Sequence, residues 1–304
     1  MCRASWHAGD WLSEKEWTVK IKKVGVVGCG FMGGGIVQVC AVSGYDVVTT
    51  DISDDAVNRG INAIKDRLAK KVKKSEMTQQ QMDEAMGRIK GSSDINIYRD
   101  CDLVIESVFE DMELKKKLFA ELDRICEPGT YFGTNTSCLP VIDMAMATSR
   151  PEKVVGIHFF TPPPLMPLVE IMESVKTSKE TMDMAVEFGK SVDKSVIVAK
   201  DTPGFIVNAQ MIPNVLNAVR MVESGIATAE DIDLGAVKGL SHPIGPIALA
   251  DFFGLDVLYA ISTHMYEETK DPMVKPPLIL KRMVMARMLG RKTGKGFYDY
   301  TSEG

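Results

Sequence analysis

The chain is short of the residues that metal centres and disulfide-stapled folds require. Its 304 residues include four histidines and six cysteines (Cys2, Cys29, Cys40, Cys101, Cys126 and Cys138). No two cysteines form a C-x-x-C pair and no His or Cys stands at zinc-ligand spacing, so no metal site is expected. Isolated thiols exclude a disulfide framework and read as a reduced, cytoplasmic protein. Excess positive charge is also missing: the net charge is −5, which argues against nucleic acid as a partner. A clean membrane span is absent as well. Residues 24–44 carry no charge but include seven glycines, and they divide into a short apolar run, a glycine cluster and a second apolar run. Strand, turn and helix explain that pattern better than one span. All three tryptophans (Trp6, Trp11, Trp17) fall within residues 1–20. That stretch has no signal-peptide core and carries Asp10, Glu14 and Glu16, so a poorly ordered extension is expected there.

What is present suits an ordinary globular protein. At 45% hydrophobic and 25% charged residues, the chain can bury a sizeable core, and its length favours two domains. Short apolar strands are predicted at 24–27, 47–50, 103–105, 130–134, 154–159, 168–172 and 196–198. Helices are predicted between them at 34–43, 54–73, 78–89, 113–126 and 179–191. Thr78 followed by Gln81 fits a capping box. This alternation predicts a Rossmann-like, doubly wound, mainly parallel sheet covered on both faces. The long helical stretch 54–89 is more than a crossover needs and predicts a helical hairpin projecting from the sheet. After Asp201-Thr202-Pro203-Gly204 no convincing strand follows. The expected division is therefore an extension (1–20), an α/β domain (21–202) and a smaller all-α C-terminal domain (203–304).

Gly28-Cys29-Gly30-Phe31-Met32-Gly33 matches G-x-G-x-x-G. Alone it is weak in a chain with 25 glycines. Between a predicted strand and a predicted helix it reads as a dinucleotide-binding turn, with the helix N-terminus facing the pyrophosphate. Asp51 lies 23 residues beyond Gly28, near the ~20 expected of a ribose-binding acid. A carboxylate there accepts from ribose hydroxyls and repels a 2′-phosphate, which favours NAD over NADP.

Of the four histidines, His7 lies in the extension and His264 in an expected surface helix. His158 ends an apolar strand, where doubly wound sheets form their ligand crevice. From position alone it reads equally well as a structural histidine or as an acid/base group. Glu170 tips the balance. It sits inside the apolar run Leu168-Val169-Glu170-Ile171-Met172, where a carboxylate is costly unless paired. A His158–Glu170 pair across neighbouring strands would relieve that cost and fix the imidazole tautomer.

These residues resemble the short-chain L-3-hydroxyacyl-CoA dehydrogenases, most closely the bacterial 3-hydroxybutyryl-CoA dehydrogenases. The resemblance covers about residues 19–300. It rests on the glycine turn, Thr134-Asn135-Thr136-Ser137, the His158–Glu170 block, Pro203-Gly204-Phe205-Ile206-Val207-Asn208, His242-Pro243-Ile244-Gly245-Pro246, and Gly290-Arg291-Lys292-Thr293-Gly294-Lys295-Gly296-Phe297-Tyr298. It implies NAD-linked interconversion of 3-hydroxyacyl-CoA and 3-oxoacyl-CoA, with short acyl chains preferred. His158 then corresponds to the general acid/base and Glu170 to the residue orienting it. Ser137 corresponds to a serine bonding the substrate's 3-oxygen, and Asn208 to an asparagine assisting substrate binding. Glu110, Lys115, Asn135 and Lys292 correspond to positions lining the cofactor or substrate cleft. Two departures stand out: Thr161 replaces the usual asparagine after His-Phe-Phe, and Cys138 replaces a second serine. Lys70, Lys71, Lys73 and Lys74 end one predicted helix. Their plain reading is a solvated charged face, but the resemblance places a helical hairpin over the CoA nucleotide, with Lys71 and Lys74 as phosphate contacts. The helical domain is expected to form a homodimer interface and to close over the cleft. Rival readings are a two-domain dehydrogenase of a non-CoA hydroxy acid and a non-catalytic, crystallin-like relative.

Overall fold

The computed structural model describes residues 21–301. The extension 1–20, with His7, lies outside them. Two bodies follow one another along the chain. The first begins with β1 (Lys23–Val27), α1 (Phe31–Val42), β2 (Asp46–Thr50), α2 (Asp54–Lys73), α3 (Gln79–Gly87) and β3 (Ile89–Gly91). It continues through β4 (Leu103–Glu106), α4 (Met112–Ile125), β5 (Tyr131–Thr134), α5 (Val141–Ala145), β6 (Val154–Phe159), β7 (Leu168–Glu173), α6 (Lys179–Ser191) and β8 (Ser195–Lys200). The second is helical: α7 (Val207–Glu223), α8 (Ala229–Gly239), α9 (Pro246–Phe253), α10 (Leu255–Thr269) and α11 (Leu278–Met285).

The eight strands form one sheet in the order β3-β2-β1-β4-β5-β6-β7-β8. All neighbours are parallel except β6 and β7, which run antiparallel. This is the Rossmann-like, mainly parallel sheet expected from the alternation of strands and helices. Central strands are buried on both faces, as in β4 with Leu103, Val104 and Ile105, because helices cover both sides of a parallel sheet. One face packs under α1, α2, α3 and α6 through Ile36, Val37, Ile64, Leu68, Met82 and Phe188. The other packs under α4 and α5 through Phe119, Leu122, Met144 and Ala145. The chain reverses direction across the sheet between β1 and β4, which places a crevice beyond their C-terminal ends.

Local signals set the element ends. Ser53 caps α2 by accepting from the Ala56 N–H at 3.2 Å, and the Thr78–Gln81 capping box that starts α3 has both of its bonds. The hairpin α2–α3 does not stand free of the sheet as expected from its length. Its Ile64, Leu68, Met82 and Ala85 share the core under α1. The uncharged stretch 24–44 is β1, the glycine turn and α1. Among the described residues no single helix is long and apolar enough to cross a membrane.

In the helical body Asp233 accepts from the N–H groups of Ile247 and Ala248 at 2.7 and 2.8 Å, holding the start of α9. Asp251 accepts from the N–H groups of Phe297 and Tyr298 at 3.0 and 2.9 Å. The two motifs after residue 240 are therefore joints that close this body upon itself.

Candidate active site

The glycine turn leaves β1 where only glycine fits. Gly28 has φ +94°, and a Cβ there would lie 2.5 Å from the Ser107 carbonyl oxygen. A Cβ on Gly33 would lie 1.9 Å from the Gly28 oxygen, so α1 packs directly on the strand end. Gly30 differs: apart from its immediate chain neighbours, nothing lies within 4 Å of its would-be Cβ. That open side and an α1 start without any capping side chain leave backbone N–H groups for an anion. At the end of β2 the Asp51 carboxylate accepts from the Cys29 N–H (2.9 Å) and the Ile52 N–H (2.8 Å). The acid is thus fixed beside the turn. These residues fit a dinucleotide: an open backbone face for its pyrophosphate and a placed carboxylate for its ribose.

Further along the sheet, antiparallel pairing sets His158 directly opposite Glu170. The His158 Nδ1 lies 2.9 Å from Glu170 Oε2, with Glu170 fully buried and His158 5% exposed. A carboxylate has no proton to give, so Nδ1 carries the hydrogen and Nε2 stays uncommitted. The imidazole packs against Phe160 and Phe205, with ring centroids 4.7 and 5.9 Å away. The other carboxylate oxygen, Oε1, accepts from the backbone N–H groups of Ile206 (3.1 Å) and Val207 (3.0 Å) at the start of α7. The next residue, Asn208, donates from Nδ2 to the Ser137 carbonyl oxygen at 3.1 Å. His158, Glu170, Asn208 and Ser137 therefore occupy one hydrogen-bonded circuit joining β5, β6, β7 and α7. Asn135 closes its rim by accepting from the Phe159 N–H at 2.8 Å.

Beneath Ser137 lies an ionic cluster whose Lys115 and Glu106 are buried and whose Glu110 reaches the surface of the cleft. Lys115 is 1% exposed and sits 2.5 Å from Glu106 Oε1 and 3.1 Å from Glu110 Oε2. Glu106 also accepts from the Val108 N–H and the Thr134 hydroxyl, both at 2.7 Å. Glu110 accepts from the Thr136 hydroxyl (2.5 Å) and the Ser137 N–H (2.8 Å). Burial pushes the Glu110 carboxyl upward, but Lys115 and those hydrogen bonds outweigh it and hold the group below its ordinary 4.5. Cys138 is the reverse case: burial first, then the Glu110 charge, raise its thiol far above its usual range. A thiol held neutral is no nucleophile.

Two cavities bear on the site: the second shares Asn135 and Ser137 with the circuit, and the first takes its wall from α1, α2 and residues 162–165 after β6. One, of about 300 Å³, is lined by Phe31, Arg67, Lys70, Lys71, Lys74 and Leu165, among others. The other, of about 380 Å³, has Met32, Ser107, Glu110, Asn135, Ser137 and Cys138 on the sheet side and α10 on the other.

Residues 23–202 match the family described as 3-hydroxyacyl-CoA dehydrogenase, NAD binding domain, and residues 204–300 match its C-terminal domain. The chain is 43% identical over 282 residues to the 3-hydroxybutyryl-CoA dehydrogenase of Mycobacterium tuberculosis, covering 92% of this chain and 99% of that protein. It is 36% identical to the mitochondrial hydroxyacyl-coenzyme A dehydrogenase of Sus scrofa, covering 93% and 92%. The crystal structure of (S)-3-hydroxybutyryl-CoA dehydrogenase from Ralstonia eutropha superimposes with a TM-score of 0.90 at 40% identity, covering 93% of this chain and all of that one. The chain belongs to the 3-hydroxyacyl-CoA dehydrogenase family. It is an NAD-dependent oxidoreductase.

For a 3-hydroxyacyl-CoA dehydrogenase, the predicted site residues fall in three groups. His158, Glu170, Ser137, Asn208 and Asn135 meet in one circuit. Gly28, Gly30, Gly33 and Asp51 form the turn, with Met32 on the wall of the larger cavity and Phe31, 65% exposed, on that of the smaller. Thr161 points its hydroxyl at the Met32 sulfur, 2.9 Å away. Lys71 and Lys74 line the smaller cavity. Two residues sit differently from a simple contact reading. Lys115 is buried beneath Glu110, so its link to the cleft runs through that carboxylate. Lys292 forms an ion pair with Asp256 at 2.5 Å, at the first turn of α10, and does not line either cavity.

Sequence reasoning missed three residues. Glu106 carries the signal already used for Glu170, a carboxylate closing an apolar strand. Arg67, which lines the lysine cavity and donates to Gln38 Oε1 at 2.7 Å, lies one turn before Lys71. His264 was expected on a surface helix. The structure corrects this and places it on the cavity wall facing Glu110 and Ser137 across the space.

Proposed function

We propose that this enzyme interconverts (S)-3-hydroxyacyl-CoA and 3-oxoacyl-CoA, with short acyl chains such as 3-hydroxybutyryl preferred, and that His158 is its general acid/base. The observation carrying this reading is the His158–Glu170 pair at the crevice end of the sheet, linked to Ser137 through Asn208. The cofactor, when held at the glycine turn and Asp51, would supply the hydride to C3 as NADH and take it back as NAD⁺. In the reductive direction protonated His158 gives the Nε2 proton to the C3 oxygen; in the oxidative direction neutral His158 takes it. Glu170 holds the ring in one tautomer, as the carboxylate partner of a catalytic histidine does elsewhere. Ser137 and Asn208 orient the C3 oxygen, and the closed apolar setting of Phe160 and Phe205 limits competing water.

The lysine cavity supports CoA as the part of the substrate that stays unreacted. Arg67, Lys70, Lys71 and Lys74 concentrate cations in an otherwise acidic chain, which suits nucleotide phosphates. Exposed apolar side chains on the helical body, including Leu234, Leu240 and Phe252 at 57%, 67% and 55% exposure, support a homodimer interface there. A reduced, cytoplasmic setting agrees with five buried cysteines that form no disulfide. The deciding experiment measures acetoacetyl-CoA reduction with NADH and with NADPH in parallel, on wild type and His158→Ala. NADH-linked turnover that His158→Ala abolishes is expected. Unchanged turnover in the variant, or activity on free hydroxy acids alone, would overturn the reading.

A further inference from the structure

The larger cavity has two unlike walls. Its sheet-side wall comes from the first turn of α1 (Met32), the residues after β4 (Ser107, Val108) and the residues after β5 (Asn135, Ser137). Those strand ends lie on the far side of the glycine turn from Asp51 and β2. In a doubly wound sheet this is where the nicotinamide half of a dinucleotide runs, the adenosine half lying over β2. The opposite wall is one stripe of α10: Val257, Ala260, Ile261 and His264, at i, i+3, i+4 and i+7 of a helix and therefore on a single face. Three of the four are apolar. The fourth is an imidazole whose Nε2 is buried and has no hydrogen-bond partner among the described residues.

Buried polar atoms are nearly always paired, and one that is not marks a place where a partner belongs. Nothing in the circuit of His158, Glu170, Asn208 and Ser137 uses His264. We propose that His264 is a cofactor-binding residue contributed by the helical body, its imidazole turning into the cavity to hydrogen-bond the nicotinamide riboside half of NAD(H) when the cavity fills. This rests on the dehydrogenase reading above. The riboside offers hydroxyl and carboxamide groups, and a neutral imidazole can donate from one nitrogen and accept at the other. The three apolar neighbours on the stripe supply a flat surface for the ring. His264 thereby makes dinucleotide binding a two-body event: the sheet body holds the pyrophosphate, and α10 reports on the half that carries the hydride.

Calorimetric titration separates the halves, because AMP occupies only the adenosine side. His264→Phe keeps a planar ring and removes both nitrogens. It is expected to weaken NADH binding about 3- to 10-fold, the range for one lost neutral hydrogen bond, while AMP binds as to wild type. His264→Gln, which keeps a donor and an acceptor, is expected to recover part of the loss. NADH affinity unchanged in His264→Phe overturns the assignment, as does an equal loss for NADH and AMP. If the Phe variant does not fold, His264→Leu and His264→Ala carry the same comparison. Wild type that fails to bind NADH would defeat the dehydrogenase reading and this one together. Wild type that binds and turns over, beside a Phe variant that binds NADH equally well, defeats the His264 assignment alone.

Discussion

Glu170→Gln is the substitution that most directly interrogates the site, because it keeps volume and changes one thing: an acceptor becomes a donor. Glu170 receives three N–H groups, from His158 on Oε2 and from Ile206 and Val207 on Oε1. A glutamine can satisfy either the pair or the single donor with its carbonyl oxygen. Facing the two backbone groups leaves one conflict and facing His158 leaves two, so the amide nitrogen turns to Nδ1. The imidazole then moves its hydrogen to Nε2 and loses the lone pair that a base needs. Restoring the productive tautomer sets two buried donors against each other, at about 1–3 kcal/mol each. That is a barrier of about 2–6 kcal/mol, or a fall in kcat of about 30- to 10⁴-fold. Protonated His158 meets the same conflict at Nδ1, so reduction should slow as well as oxidation. The assay follows NADH absorbance with acetoacetyl-CoA in one direction and 3-hydroxybutyryl-CoA in the other, with thermal melting to check folding. A folded variant within about threefold of wild-type kcat in both directions would refute the tautomer argument, since even the smallest cost above exceeds that.

The glycine turn separates ligand space from protein space. Gly30→Ala should melt like wild type yet bind NADH at least about tenfold more weakly, about 1.4 kcal/mol, because only the open side receives the methyl group. Gly33→Ala should lower the melting temperature, because its Cβ meets the Gly28 carbonyl at 1.9 Å; equal stability of the two variants would contradict this. Lys71→Glu with Lys74→Glu should raise KM for acetoacetyl-CoA about 5- to 30-fold. That assumes about 0.5–1 kcal/mol for each screened charge contact. KM for NADH should stay put and the effect should shrink with added salt; a salt-independent loss would point to damage of the helix. Glu110 is held below its ordinary 4.5 in the folded state. Its ionised form therefore stabilises the fold fully above that value, and this stabilisation disappears as pH falls through the lowered one. Melts of wild type and Glu110→Gln should differ most near neutrality and converge in acid. A gap that is constant with pH would exclude the Lys115–Glu110 interaction as its source.

Most of the sheet was legible because buried parallel strands are nearly continuous apolar runs between helices, and 154–159 agrees end for end with β6. β3 escaped. Ile-Lys-Gly at an edge has neither the length nor the β-branched content that marks a strand. In the site, Glu170 could be read because a charge inside an apolar strand demands a partner. The same rule applied to Leu103-Val104-Ile105-Glu106 would have found the partner of Lys115. Lys115 itself stands among Lys116 and Lys117 on an amphipathic helix, so its own pattern does not announce a buried partner. His264 was beyond reach for a different reason. Helical periodicity says which residues share a face, but only the packing of the two bodies says which face meets the cleft.

The one antiparallel step in the sheet is what assembles the site. Had β7 continued the parallel pattern, a crossover helix would separate it from β6, and Glu170 would not follow His158 by twelve residues on the adjacent strand. The reversal needs only residues 160–167, and it places the carboxylate opposite the imidazole while leaving its second oxygen directed at α7. That second oxygen holds the N–H groups of Ile206 and Val207 at the start of α7, and the next residue, Asn208, reaches back to Ser137. The group that fixes the tautomer of His158 is therefore also the tie between the two bodies. Any movement that opens the cleft by shifting α7 must disturb the Glu170 hydrogen bonds, so the geometry on which the proposed acid/base role of His158 depends is complete only when the helical body is seated.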